Sequence, residues 1–187
     1  ENCLAWGYYI AGNVGHAIEI HDRLAHMGGL SGVLATAQAA NVNLATLGVP
    51  VARIGAANYA DCRWWLEWYT ATGATAVNAT VAVTYDDDST ANIVVAVPSN
   101  TAAGRTLAIL PGAAGRGIKA VGNVTLSAST LTAGSFGVTA TRHRTAMEND
   151  VANRGKNPSW AVRGAPMIAA DSCLFGIVPC ATTTSGT

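Results

Sequence analysis

Between residues 77 and 97 the chain alternates with a period of two, and that pattern commits it to a fold built from strands. Val77, Ala79, Val81, Val83 and Tyr85 take every second position, with Asn78, Thr80 and Thr84 between them. Successive side chains of a strand point to opposite faces, so this spacing gives one apolar face and one polar face. A helix would need apolar residues three and four apart. Asp86-Asp87-Asp88-Ser89 has the composition of a turn, and Ile93, Val95 and Val97 resume the alternation beyond it. A β-hairpin is expected here.

Just upstream, Trp64-Trp65-Leu66-Glu67-Trp68-Tyr69 would place Trp64, Leu66 and Trp68 on one face of a strand and Trp65, Glu67 and Tyr69 on the other. Aromatic area on both faces predicts a strand covered on both sides, by a core and by a further element or subunit, although core packing alone accounts for much of it. Further short strands are expected at residues 106–110, 118–128 and from Phe136 onward, separated by Gly- and Pro-containing loops. Strands at such spacing predict an all-β body, a β-sandwich of jelly-roll type, over residues 19–142. Residues 1–18 read as an extended N-terminal arm. Residues 143–187, where the alternation dissolves, read as an extended C-terminal tail with a short apolar segment at residues 173–178. Two stretches suggest helix: residues 19–27, closed by Gly28-Gly29, and residues 36–40, where Asn41 and Asn43 argue for loop instead.

A chain of 187 residues suits one domain with extended ends and can bury a core without covalent staples. Only 12% of its residues are charged, against about 25% in an ordinary soluble domain. Few charges on the outside suggest a surface partly covered in an assembly, or one carpeted with Thr, Ser and Asn. Eleven basic and eleven acidic residues leave no net charge, which speaks against a protein that grips nucleic acid through phosphates. No apolar run is long enough for a membrane-spanning helix, and the first residues lack the basic segment that opens a signal peptide. Cys3, Cys62, Cys173 and Cys180 form no CxxC pair, and free thiols are the expectation. Asn78-Ala-Thr80 and Asn123-Val-Thr125 match the glycosylation triplet, which has no meaning outside a secretory route.

The candidates for chemistry each lack a requirement. Gly112-Ala-Ala-Gly-Arg-Gly117-Ile-Lys119 departs from a phosphate loop because Ile118 separates Gly117 from Lys119, no Ser or Thr follows, and a strand rather than a helix comes next. His16, His21 and His26, five apart, put successive rings on opposite faces, so they do not converge on a metal. His21, Asp22 and Ser31 lack the strand-turn-helix elbow of a serine hydrolase. Asp86, Asp87 and Asp88 read as a solvated turn, because three consecutive carboxylates do not converge on Ca²⁺ without further ligands. No catalytic residue, metal or cofactor is therefore expected.

Three segments carry a resemblance: Ile20-His-Asp-Arg-Leu-Ala-His26-Met-Gly-Gly-Leu-Ser-Gly32, Leu66-Glu-Trp-Tyr-Thr-Ala-Thr-Gly-Ala-Thr75, and Val124-Thr-Leu-Ser-Ala-Ser-Thr-Leu-Thr-Ala-Gly-Ser-Phe-Gly-Val-Thr139. With them the chain as far as Arg142 resembles a family of structural proteins of tailed-bacteriophage virions and prophages. Gly115-Arg-Gly-Ile-Lys-Ala-Val121 is similar to a family motif that tends to carry an acidic residue where this chain has Arg116. The resemblance implies a non-enzymatic virion component assembled in the bacterial host cytoplasm. A capsid cement or decoration protein is the first expectation: a homotrimer or other homo-oligomer whose partner is the major capsid protein, with neither nucleic acid nor membrane as partner. A neck or tail ring component and a receptor- or glycan-binding virion protein are the alternatives. The aromatic residues expected at interfaces are Trp6, Tyr8 and Tyr9 in the arm, Trp64, Trp65 and Trp68 in the body, and Trp160 and Phe175 in the tail.

Overall fold

A computed structural model describes residues 2–3, 16–112, 115–131, 134–149 and 167–179. In chain order its elements are β1 (Asn2–Cys3), β2 (His16–Ser31), β3 (Gln38–Asn43), the single turn α1 (Val51–Ile54), β4 (Cys62–Trp68), β5 (Val77–Tyr85), β6 (Thr90–Val97), β7 (Thr106–Ile109), β8 (Ile118–Leu126), β9 (Ser135–Asn149), β10 (Met167–Ile168) and β11 (Leu174–Ile177). The fold is all-β, as the alternation predicts. The chain divides into two compact units, Leu24–Arg142 and Glu1–Arg23 with His143–Thr187, and strands β2 and β9 contribute residues to both.

The unit Leu24–Arg142 is a β-sandwich. One sheet runs β2-β9-β4-β7 and the other β3-β8-β5-β6. The neighbours nest: β5 pairs with β6, β4 with β7 and β3 with β8, all antiparallel, and β2 lies beside β9. This is one long hairpin, with its tip at the aspartate turn, rolled up until β4 also meets β9 and β5 meets β8. Such a winding brings two four-stranded antiparallel sheets face to face over one core. The predicted hairpin is in register from Val77 opposite Val97 to Thr84 opposite Thr90.

The alternating residues supply the core. Ala79, Val81 and Val83 of β5 and Val121, Val124 and Leu126 of β8 cluster with Trp64, Leu66 and Trp68 of β4 and Phe136, Val138 and Ala140 of β9. Trp68 stacks on Phe136 with ring centroids 4.5 Å apart, and Trp64 Nε1 donates to the Ile118 carbonyl across the sandwich at 2.8 Å. Burial of the larger of these side chains contributes about 1.5–3 kcal/mol apiece and drives the two sheets together.

Both helical suggestions are overturned. Residues 19–27 lie inside the sixteen-residue β2. Ile18, Ile20 and Leu24 fit a period of two as well as a helical face, and a helix that short lacks the hydrogen bonds to outlast strand pairing. Gln38–Asn43 pairs with β8 as β3, and Gln38 holds the preceding loop by accepting from the Ser31 amide at 2.7 Å. Met27 packs against the core and Leu30 is buried, a spacing of three that strict alternation forbids. Gly29 stands between them with a φ of 88°, the left-handed conformation glycine adopts most readily.

In the other unit, β11 pairs antiparallel with β2, Leu174 opposite Asp22 and Ile177 opposite Glu19, and β1 pairs with β10. The short apolar segment of the expected tail is thus a strand, and β9 continues to Asn149. Asp22, fully buried, accepts from Arg144 Nη2 at 3.0 Å, from the Ser172 hydroxyl at 3.0 Å and from the Cys173 amide at 3.1 Å. Three donors, one cationic, offset the cost of burying its charge. They fasten the strand that follows.

Candidate functional site

Strand β4 sends alternate side chains to opposite surfaces of its sheet. Trp64, Leu66 and Trp68 are at most 2% exposed, so of the tryptophans expected at interfaces these two are core residues. Trp65 is half-buried on the outer face, where its Nε1 donates to Thr141 Oγ1 at 2.8 Å. Phe175 lies in the other unit, with the Arg23 guanidinium 4.7 Å above its ring and the His21 ring 6.0 Å away. Trp6, Tyr8, Tyr9 and Trp160 lie outside the described residues.

A connected polar cluster lies on that outer face. Thr139 of β9 donates its hydroxyl to Glu67 Oε2 at 2.7 Å, and His26 Nδ1 stands 2.8 Å from the same hydroxyl oxygen. Since the threonine proton is committed to the carboxylate, its oxygen accepts and Nδ1 carries the imidazole proton. His26 Nε2 is then the acceptor for the Tyr69 hydroxyl, 3.1 Å away. The chain Tyr69, His26, Thr139, Glu67 thus has one proton for each link. Glu67 Oε2 also lies 3.7 Å from His26 Nδ1, so an added imidazole proton would have a counter-charge at hand.

Two glycines make room for this arrangement. A Cβ at Gly28 would stand 3.4 Å from the Tyr69 ring carbon Cε2 and 3.4 Å from its hydroxyl, and one at Gly137 would lie 2.1 Å from that hydroxyl and 2.3 Å from the Met27 carbonyl. The tyrosine therefore rests on a floor without side chains and keeps 36% of its surface exposed. Glu67 sits opposite Gly137 and Trp65 opposite Thr139 in the β4·β9 register, so strip and floor are built by one strand pair with β2 alongside. The face offers half-exposed aromatic rings, a carboxylate and an imidazole. It can bind a polar ligand, but it presents no nucleophile with an oxyanion donor.

The other predicted positions resolve separately. The aspartate turn is tied to the glycine loop: Arg116 reaches Asp86 at 3.4 Å and Asp87 at 2.8 Å, and Lys119 pairs with Asp88. Hydrogen bonds from the Ser89 side chain and amide, with Arg116 adding to them, hold the Asp87 carboxyl below the usual range. His21, fully buried, pairs with Glu19 at 2.9 Å and meets the His143 ring edge-on. Ser31 Oγ accepts from the Val33 amide. Cys62 and Cys173 are free thiols, and burial, helped by the nearby Asp61 charge, pushes the Cys62 thiol up to about 12. Among the described residues no group of three or more His, Cys, Asp or Glu is placed to hold a metal ion, and no helix is long and apolar enough to cross a membrane.

Sequence reasoning singled out Trp65 but missed Glu67, Tyr69, His26 and Thr139 as a group. His26 and Thr139 are 113 positions apart, and only strand order brings them together. The available signal was the outward phase of β4 facing the Gly137 and Thr139 phase of β9. No family model, curated protein or solved structure matches the chain.

Proposed function

We propose that the protein is a non-enzymatic structural component of a tailed-bacteriophage virion, a capsid cement or decoration protein that docks on the shell of the major capsid protein. One observation carries the reading: the two ends of the sandwich differ in chemistry. At one end the loops 32–37, 69–76, 98–105 and 127–134 are knitted by backbone hydrogen bonds, Gly32 to Gly134, Thr130 to Gly32, Thr72 to Thr101 and Asn100 to Gly73. Arg105 is the one charged residue in those four loops; the rest are Ala, Thr, Ser, Gly and a few others. Val33, Leu34 and Leu131 stand 40%, 48% and 70% exposed there, and Leu131 is held at a φ of 75°, an unfavourable conformation for a branched side chain. Aliphatic tips on a rim whose single charge is Arg105 suit a surface that is covered in an assembly. Read as a jelly roll, the winding is one shared by viral capsid domains, and with the low overall charge it supports the same reading.

In this role the body would act by contact, and many equivalent copies would make modest single contacts add up. Densitometry of purified virions tests it: hundreds of copies per particle are expected, and a dozen or fewer would defeat the cement reading. Leu131→Asp with Leu34→Asp should leave the body folded yet reduce occupancy on the particle.

A further inference from the structure

We infer that the outer face of the β2-β9-β4 sheet is a saccharide-binding site, with Tyr69 as the stacking platform and Glu67 as the hydroxyl acceptor. The inference stands on the geometry of that face and does not depend on the role in the virion. A sugar ring binds an aromatic through its flat C–H surface, which needs a ring held in place with one face accessible. Tyr69 meets that need: Gly28 and Gly137 form the floor beneath it, His26 Nε2 fixes its hydroxyl at 3.1 Å, and 36% of its surface remains exposed.

Hydroxyl recognition requires a pre-oriented acceptor near the ring. Glu67 lies two residues along β4 on the same face, its Oε2 held by the Thr139 hydroxyl, and its side chain is 20% exposed. A carboxylate accepts from two neighbouring hydroxyls at once, and such charge-assisted bonds are stronger than neutral ones. Trp65 follows two residues further, held through its Nε1 to Thr141. From Tyr69 to Trp65 a strand rises about 13 Å, the length of two to three linked pyranose rings. The carboxylate between the aromatics selects a neutral saccharide over an anionic one. Because every polar side chain of the strip is already oriented by a partner, binding costs little ordering of the protein.

The test uses the intact chain and a panel of glucose, galactose, mannose and N-acetylglucosamine with their short oligomers, each up to about 10 mM, where weak sites still show occupancy. Saturation-transfer NMR should detect at least one neutral sugar, and amide shift changes should centre on residues 26, 65, 67 and 69. Tyr69→Ala should weaken binding about tenfold, the size of a lost stacking contact. Glu67→Gln should weaken it by a similar factor, while Tyr69→Phe, which keeps the ring, should stay within about threefold. Thr80→Ala, on the outer face of the opposite sheet, controls for general perturbation and should change nothing. Absence of signal across the panel would overturn the assignment, as would binding that both Tyr69→Ala and Glu67→Gln leave intact. Neither result would bear on virion copy number.

Discussion

The two faces of strand β4 use the same alternation for opposite ends. Inward, Trp64, Leu66 and Trp68 meet Ile109, Phe136, Val138 and Ala140 and are held mainly by bulk, the Trp64 bond to the Ile118 carbonyl being the exception. Outward, Trp65, Glu67 and Tyr69 meet small or hydroxyl-bearing neighbours, Gly28, Gly137, Thr139 and Thr141, and are placed by directional hydrogen bonds. A hydrophobic contact is non-directional, so the inner face tolerates approximate partners, whereas the outer face requires particular atoms at particular distances. Packing sets the fold; directional bonds set the site.

Substitutions can break this contrast. The largest effect is expected from Trp68→Ala, which should cost about 3–5 kcal/mol in chemical denaturation, because the ring is fully buried and stacked on Phe136. A loss below about 1 kcal/mol would mean the inner face is not the core the burial describes. Gly137→Ala comes next, at about 1–3 kcal/mol, since the new methyl would run into the Tyr69 hydroxyl and the Met27 carbonyl. It should also displace Tyr69, visible as a shift of its ring protons in NMR. If stability and ring shifts both stay put, the glycine floor is not what seats the tyrosine.

Thr139→Val keeps the shape and removes the central link of the polar chain, leaving Glu67 and His26 without their shared partner. A loss of about 1–2 kcal/mol is expected, with a displacement of the His26 ring-proton signals in NMR. Unchanged stability together with unchanged His26 ring-proton signals would sever the proposed chain. The smallest effect is chemical. Cys62 continues the inward phase of β4, and with its thiol pushed from 9.0 up to about 12 it should resist alkylation at pH 8, while exposed Cys173 reacts. Peptide mapping after a short maleimide pulse distinguishes them. The shift also has a sign: above pH 9.0 the unfolded thiol ionises and the folded one does not. Its contribution therefore favours folding below pH 9.0 and is lost as the pH climbs toward 12.

Much of the sandwich is legible in the sequence because the hairpin at residues 77–97 and the β4 phase repeat a period no helix shares. Where the period was short or mixed with glycine, as at residues 19–27 and 36–40, local pattern allowed either element, and pairing with β9 and β8 decided. The site was far less legible. Trp64 and Trp68 have the same composition signal as Trp65, and only the direction in which each side chain leaves the sheet separates core from surface.

Residue order alone determined that this chain forms alternating strands with a tight acidic turn, few charges and a two-faced aromatic strand, because side-chain direction in a strand depends only on parity. The rolled winding that sets β9 between β2 and β4, and with it the meeting of His26, Tyr69, Glu67 and Thr139, was decided by the tertiary structure. Contacts between residues more than a hundred positions apart depend on how sheets close over a shared core, and no local stretch of sequence encodes that closure.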